Sequence, residues 1–377
     1  MKTHSKVPFL PLGSPMNPPK NSSVFANKVA KVGLCLIAGL FTVYVIGTTA
    51  SIGPDYSPIP VEQANSNDTI TICKEYYNDT RQYIQDRPRS DYEDLPTIYF
   101  VTPTYPRREQ MPELIRLGHT LMHVPKIHWI VADDVYQCNV HLDSLLMEFG
   151  IPFTHISSPM NNIYRHLKNV PRGVANRRAA LNWIKSNNKS EGVLYFGDDD
   201  NTFHLRLFSE IRHTKVVSMF PVGLIGNYAV SSPVVREGKV IGFLDSWIAG
   251  REWAVDMAGF AVNLEYLFRY KNQVTMPYKA GYEEDMFLRS LNLRLEEVEP
   301  KASNCTEILV YHTQTKKTKS PDIILPHSIT LSSPSKSNIA HLFRFMENSG
   351  VSHFTSSKGV KPEVSYKGKK LPVASVY

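Results

Sequence analysis

Three aspartates stand side by side at Asp198, Asp199 and Asp200, in the string LYFGDDDNTF. Adjacent carboxylates repel one another, so they need a compensating cation or open water. Oxygen ligands without nearby thiols suit hard cations such as Mg2+ or Mn2+. A single carboxylate with open coordination positions suits an ion that also binds phosphate. The other readings are a solvated loop, or an acidic cap for a helix beginning near His204. An EF-hand is excluded, because its ligand spacing and distal glutamate are absent. A second group, PRGVANRRAAL over 171–181, sets Arg172 and Arg177 at a helix start. Helix N-termini favour anions, and guanidinium groups add bidentate donors for phosphate or carboxylate. Ordinary surface arginines are the alternative. In GYEEDMFL (281–288), Glu283, Glu284 and Asp285 open an apolar-periodic segment. One of them is placed to take a proton from an attacking hydroxyl, or all three complement the positive end of a helix. Asp256 sits within the apolar run REWAVDMAGFAVN (251–263). A buried carboxylate there needs partners, either structural or belonging to a substrate.

The elements between these groups alternate. A β-rich run covers 97–105, and a helical stripe over 108–124 carries Met111, Leu114, Leu117, Leu121 and Met122. Strand patterns follow at 127–134, 152–156 and 192–196, separated by helical patterns at 141–150 and 173–186. This alternation predicts a parallel, doubly wound α/β sheet, whose ligands bind beyond the carboxyl ends of its strands. Tyr105, Asp134 and the aspartate triplet fall at such ends. After residue 215 the pattern is mixed. Strand-like segments at 215–226 and 238–245 meet near the Arg236-Glu237-Gly238 turn, a helix begins at 283, and a late strand covers 306–313. No internal repeat is found.

The charge distribution constrains location and partners. The first 53 residues carry five lysines and no acidic residue, so the net charge of +7 belongs mostly to that end. The remainder is nearly neutral and shows no basic run, which argues against nucleic acid as a partner. Residues 32–52 contain no charge. At 1.5 Å per residue they span about 30 Å, one hydrocarbon core. A cleaved signal peptide or a buried helix would be the other readings of this run. Lysines on its N-terminal side make it a signal anchor of a single-pass type II protein. The expected organisation is a cytoplasmic tail (1–31), the anchor (32–52), a polar stem (53–94), a catalytic body (95–320) and a flexible C-terminal tail (321–377), with HLFRFMEN its one amphipathic segment. Asn67, Asn78, Asn188 and Asn304 begin luminal glycosylation sequons. Four cysteines without a C-x-x-C pair suggest neither a disulfide framework nor zinc. Cys73, in the stem, is either a bridge between two chains or an unpaired thiol.

Six ordered strings, FVTPTYPR, HVPKIHWIVADD, PRGVANRRAALNWI, LYFGDDDNTF, DMAGFAVN and EPKASNCTEILVYHT, resemble the β-1,3-glucuronyltransferases of glycosyltransferase family 43 over about residues 96–315. The resemblance implies a Golgi-resident type II enzyme, usually a homodimer. It implies a GT-A fold with a Rossmann-like donor half and a mixed-sheet acceptor half. The implied reaction transfers glucuronic acid, with inversion, from UDP-glucuronate to the 3-hydroxyl of a galactose-terminated glycan, using Mn2+. By position, Tyr105 and Asp134 would hold the uridine, Arg172 and Arg177 the donor, and Asp198 and Asp199 the donor sugar and ribose. Asp200 would be the Mn2+ ligand, His312 would lie near the diphosphate, and Glu284 would be the catalytic base. Arg251 and Asp256 would lie at the donor–acceptor junction, with Trp247 stacked on the acceptor sugar. Three departures stand out. Gln314 replaces an arginine expected at phosphate, with Lys316 and Lys317 as candidates to compensate. Ser231 replaces a glutamate expected at the acceptor. The chain also runs well past the family's usual end. A donor-binding pseudoenzyme, a luminal lectin-like protein, or the same fold with another UDP-sugar are the rival readings.

Overall fold

The computed structural model describes residues 59–60, 68–81, 94–269, 274, 276–314, 320–326, 329–331, 334–348 and 351–377. The apolar run at 32–52 and the sequon at Asn67 lie outside them. Among the described residues no helix is long and apolar enough to cross a membrane.

The expected strands form where continuous apolar runs can be buried on both faces. They are β3 (Ile98–Thr104), β4 (Ile127–Asp133), β5 (Phe153–Ser157) and β6 (Val193–Phe196), and every residue in them is buried. They pair in parallel in the order β5-β4-β3-β6. Period-two alternation sends Tyr99, Val101, Ile130 and Ala132 to one core, and Ile98, Phe100, Trp129 and Val131 to the other. The helix Val174–Ser186 covers the first face through Ala179, Ala180 and Trp183. The helices Gln110–Leu121 and Val140–Glu148 cover the second through Leu114, Leu117, Leu142 and Leu146.

Beyond β6 the sheet is mixed. The strand β12 (Phe260–Asn263) runs antiparallel between β6 and β8 (Val217–Met219), and β13 (Val298–Pro300) closes that edge. A second sheet has the order β18-β17-β11-β10-β9-β14-β7 among the described residues. Its centre is the hairpin of β10 (Val230–Arg236) and β11 (Lys239–Leu244), joined at Glu237 and Gly238. The sequence pattern identified the turn but placed the preceding strand too early. β7 (Thr202–Phe203), β9 (Val222–Gly223) and β14 (Val310–Tyr311) carry this sheet toward the triplet.

Three expectations are corrected. Residues 71–76 are not part of a polar spacer. They form β2 (Thr71–Tyr76), antiparallel to β5, with β1 (Ile59–Pro60) beyond it. The reason is local: Ile70 and Ile72 are buried, Trp183 donates to Glu75 at 2.6 Å, and Arg178 donates to Asp68 at 2.7 Å. Cys73 is neither unpaired nor bridged to a second chain. It is bonded to Cys138 within the same chain, because β2 brings the two Cα atoms to 5.4 Å. Finally, the C-terminal segment is folded. The helix Ile339–Asn348 buries Ile339, Leu342, Phe343 and Met346, a helical stripe, against Val230, Val234 and Leu244 of the second sheet. β15 (Asp322–Ile324) pairs with β16 (His353–Thr355). β17 (Glu363–Tyr366) adds to β11, and β18 (Lys369–Pro372) completes a hairpin. The sequence marked HLFRFMEN as amphipathic, but the Lys- and Ser-rich composition hid the strands around it.

Replacing Cys73 and Cys138 together by serine releases a loop of 65 residues. It is expected to lower unfolding stability by about 2–4 kcal/mol, read as a shifted denaturant midpoint. Non-reducing peptide mapping should recover the Cys73–Cys138 pair, and recovery of a dimeric Cys73 peptide instead would refute the assignment.

Candidate active site

The first part of the site lies where the parallel strands end. Tyr105 follows β3, Asp134 follows β4, and the triplet follows β6. Together with Arg172 and Arg177 they line a cleft of about 400 Å³. The three aspartates are treated differently by their surroundings. Asp198 pairs with the Arg177 guanidinium, which is buried. Asp199 accepts from Arg107 and from the Thr104 hydroxyl, both at 2.7 Å. Among the described residues no arginine or lysine pairs with Asp200. Burial, and then the negative charge of Asp198, push its carboxyl up to about 6.

Arg177 reaches Asp198 because of its helix start. Gly173 caps the helix in a left-handed conformation (φ 74°), and a Cβ there would lie 2.6 Å from an Arg177 nitrogen. Arg172 remains exposed, 5.8 Å from the centre of the Tyr105 ring, with Arg107 at 4.7 Å. Tyr105 is 41 % exposed, so part of its ring stays open to the cleft between these guanidinium groups. Asp134 is held by Arg165 and by the Met160 amide at 2.7 Å.

The second part is acidic and lies against the first. Asp256 caps the short turn Met257–Gly259 by accepting from the Ala258 amide at 3.0 Å. Its other oxygen is 3.3 Å from His312 Nδ1. Burial opposes protonation of His312, but Asp256, Asp198 and Asp200 outweigh it and push the imidazole up to about 9. Burial likewise disfavours the Asp256 carboxylate, yet His312, the Ala258 amide and Arg177 hold it below the usual range. The pair is therefore imidazolium and carboxylate.

Glu284 lies in the first turn of the helix Glu283–Ser290. Burial, then Asp256 and Glu283, push its carboxyl up to about 8. That range suits a general base near neutral pH. Its neighbours have other duties. Asp285 accepts from the Glu252 and Trp253 amides at 2.8 and 2.9 Å and so ties the helix to the preceding loop. Arg251 is buried and bonded within its own loop. It donates to the carbonyls of Trp247 and Val255 and to Asp245, and its guanidinium lies 4.7 Å from the Trp247 ring centre. Trp247, 46 % exposed, is presented by that loop against Gly281 and edge-on to Tyr282.

The fold thus gathers Tyr105, Asp134, Arg172, Arg177 and the triplet on one side, and Asp256, His312 and Glu284 on the other. Ser231 is buried, with its hydroxyl beside the Asp245 carboxyl. Gln314 is exposed just after His312, and Lys316 and Lys317 lie outside the described residues. Asn78, Asn188 and Asn304 are exposed. Sequence reasoning missed Arg107, Arg165, Thr104 and Asp245. Asp245 directly follows a recognisable strand, as Asp134 does, and Arg107 lies three residues past the end of β3; that position was the available signal. Arg165 sits on a four-residue helix, and nothing in its spacing points to Asp134. Among the described residues no cluster of three or more His, Cys, Asp and Glu side chains could hold a metal alone. Asp200 still fits a divalent cation as its one protein carboxylate, with phosphate oxygens completing the shell, because it is partly buried and pairs with no arginine or lysine among the described residues.

Residues 117–316 match the family described as Glycosyltransferase family 43. A Drosophila melanogaster protein named galactosylgalactosylxylosylprotein 3-beta-glucuronosyltransferase S is 57% identical over 310 residues, 82% of this chain and 75% of its own length. A Mus musculus protein named galactosylgalactosylxylosylprotein 3-beta-glucuronosyltransferase 2 is 40% identical over 276 residues, 71% and 81% of the two chains. Among solved structures, S. aureus TarS 1-349 in complex with UDP-GlcNAc aligns over 59% of this chain and 60% of its own. Its identity is 13% and its TM-score 0.39, a likeness too low to bear on the assignment.

The raised Glu284 carboxyl has a stability consequence. Folded, it binds a proton up to about pH 8, whereas its usual value is 4.5. The folded state therefore holds more protons between those values, and stability falls as pH rises through them. Glu284→Gln is expected to raise unfolding stability, on the order of 1–3 kcal/mol at pH 8 and less at pH 5. An equal gain at both pH values would refute the burial of an uncompensated charge there.

Proposed function

Because this chain belongs to glycosyltransferase family 43, we propose that it is a β-1,3-glucuronosyltransferase that takes glucuronic acid from UDP-glucuronate to the 3-hydroxyl of a terminal galactose. The relatives' names supply the reaction and the acceptor class, a galactosylgalactosylxylosyl protein glycan. The observation that carries the reading is the unequal compensation of the triplet. Arg177 and Arg107 hold Asp198 and Asp199 as fixed acceptors for donor hydroxyls, while Asp200 keeps uncompensated negative charge at the cleft. Asp200 and the donor's phosphate oxygens would hold a divalent cation, Mn2+ in our reading, which supplies charge neutralisation for a diphosphate leaving group.

The chain's own residues supply the rest. The exposed Tyr105 ring and Asp134 accept the uracil end, and Arg172 faces the cleft as a donor to phosphate or uronate carboxylate. His312, held protonated by Asp256, adds a positive hydrogen-bond donor near the diphosphate. Trp247 offers its face to the apolar side of the acceptor sugar. Glu284 takes the proton of the attacking hydroxyl, and a single displacement at the anomeric carbon inverts its configuration.

The cellular setting we propose is a Golgi membrane, type II, with the catalytic part luminal. The uncharged run at 32–52 and its lysine-rich flank support it, as does an intrachain disulfide, which persists in oxidising compartments. Asn67, Asn78, Asn188 and Asn304 are the sequons such a setting would expose to glycosylation. We also propose a homodimer, as the resemblance implies.

A second reading is a donor-binding protein that does not turn over. The exposed Gln314 and the buried Ser231 favour it, since neither gives the charge expected at those positions. UDP release from UDP-glucuronate, measured with and without a galactoside and Mn2+, separates the two. Transfer requires acceptor-dependent release, and its absence across galactoside acceptors would leave the binding reading.

Three outcomes are expected of the enzyme. Glu284→Gln should lower kcat by about 10²–10⁴-fold while retaining UDP binding. For the unchanged protein, kcat/KM should rise with pH through an apparent pKa near 8, because the base must be ionised. Asp200→Asn should remove the divalent-ion dependence of UDP binding in calorimetry. Near-normal turnover, a flat pH profile or retained ion dependence would each sink its respective assignment.

A further inference from the structure

The loop 245–253, which presents Trp247, is anchored inside the chain by Asp245. That carboxylate accepts from the Trp247 amide at 2.7 Å and from Arg251 at 3.2 Å. The tip of the loop is unusual. Ala249 and Gly250 both take left-handed conformations, with φ of 45° and 75°. A non-glycine residue such as Ala249 persists in that region only where the surroundings hold the loop. Two neighbours do so. The Tyr282 hydroxyl donates to the Ala249 carbonyl at 3.2 Å. The turn of the C-terminal β17–β18 hairpin packs on Gly250 so closely that a Cβ on Gly368 would lie 2.9 Å from the Gly250 carbonyl oxygen.

The same hairpin also grips the base of the loop. Its first strand pairs with the end of β11, Ser365 with Phe243 and Val364 with Leu244, directly before Asp245. The hairpin thus touches both the base and the tip of the segment that carries the exposed tryptophan. It is folded onto the body through Val364 and the helix Ile339–Asn348, so it is a fixed support.

We propose that this C-terminal hairpin is an acceptor-specificity element: by clamping residues 244 and 250 it sets where Trp247 stands relative to Glu284, and Gly368 is its positioning residue. The proposal rests on the glucuronosyltransferase reading and adds to it a part of the chain that the sequence analysis left as a tail. The donor cleft is bounded by other elements, so the hairpin acts on the acceptor sugar and leaves UDP binding untouched.

Gly238, at the β10–β11 turn, provides an internal control. It has a φ of 72°, near the 75° of Gly368, but a Cβ there would meet nothing within 4 Å. Gly368→Ala and Gly238→Ala therefore impose similar backbone strain, and only the first pushes on the loop. In the full-length enzyme with a digalactoside acceptor, Gly368→Ala is expected to raise acceptor KM by about five- to fiftyfold. The UDP dissociation constant should stay unchanged, and Gly238→Ala should match the unaltered enzyme in both. Amide exchange over 245–253 should quicken in Gly368→Ala alone. Should Gly368→Ala not fold, Leu371→Ala, which thins the hairpin opposite Val364, takes its place with the same expected rise. An unchanged acceptor KM, or equal effects of the two glycine variants, overturns the proposal. Failure of the unaltered enzyme to transfer to any galactoside overturns instead the reading on which it rests.

Discussion

Everything at the cleft depends on how three adjacent negative charges are compensated. Two of them are paired with arginines and, among the described residues, the third is not. Arg177 and Arg107 come from different elements, a helix N-terminus and the loop after β3, and each takes one aspartate. Had a third arginine reached Asp200, the site would be a saturated ion-pair network with little attraction for a cation. Had neither arginine been present, mutual repulsion would have raised all three carboxyls and kept them partly protonated. The observed division leaves two rigid hydrogen-bond acceptors beside one uncompensated carboxylate. It also explains why β6 ends where it does: the strand delivers the triplet to the point where helix dipole and guanidinium groups already converge.

The acidic half follows the opposite logic. Asp256 and His312 neutralise each other, so the Asp256 charge felt by Glu284 is balanced by a positive one. Glu284 has no such partner among the described interactions, and burial leaves it the more basic of the two carboxylates. One fold therefore produces a charged pair and a basic carboxylate within a short span, by giving one acid a histidine and denying it to the other. The cost is a helix N-terminus, Glu283 to Asp285, crowded with three acids. The exposed first-turn amides and the ties from Asp285 to the loop amides and to Arg289 offset part of it.

The donor half was legible in the sequence because its signals are local. Four apolar runs, each followed by a polar residue, specify parallel strands and the ends where ligands gather, and Tyr105, Asp134 and the triplet were found that way. The roles of Glu284 and Asp256 were not legible from spacing, since an acidic helix start and a capping aspartate look the same whether or not they do chemistry; the family resemblance singled them out. What escaped was non-local. Cys73 and Cys138 pair only because β2 docks beside β5, and a strand of six residues in polar surroundings gives little sign of that. Arg107 and Arg165 are ordinary arginines until the carboxylates they meet are known. The C-terminal segment was misread because its apolar positions are diluted by lysine and serine, although Ile339, Leu342, Phe343 and Met346 keep helical spacing.

Those non-local features share a purpose that the local ones cannot serve. A cleft lined by parallel strand ends is positioned by the sheet itself, and its residues need little further support. The loops that complete it have no such frame. The rim after β4, with Asp134, is tied at Cys138 to the edge strand β2, and the loop with Trp247 is held between Asp285, Tyr282 and the C-terminal hairpin. Each tie joins a segment near the site to a part of the chain distant in sequence. Two of these ties, at Cys73 and at Gly368, come from the regions that composition assigned to spacer and tail. A functional loop carrying left-handed residues and buried charge is destabilising by itself, so it needs rigid supports from outside its own segment.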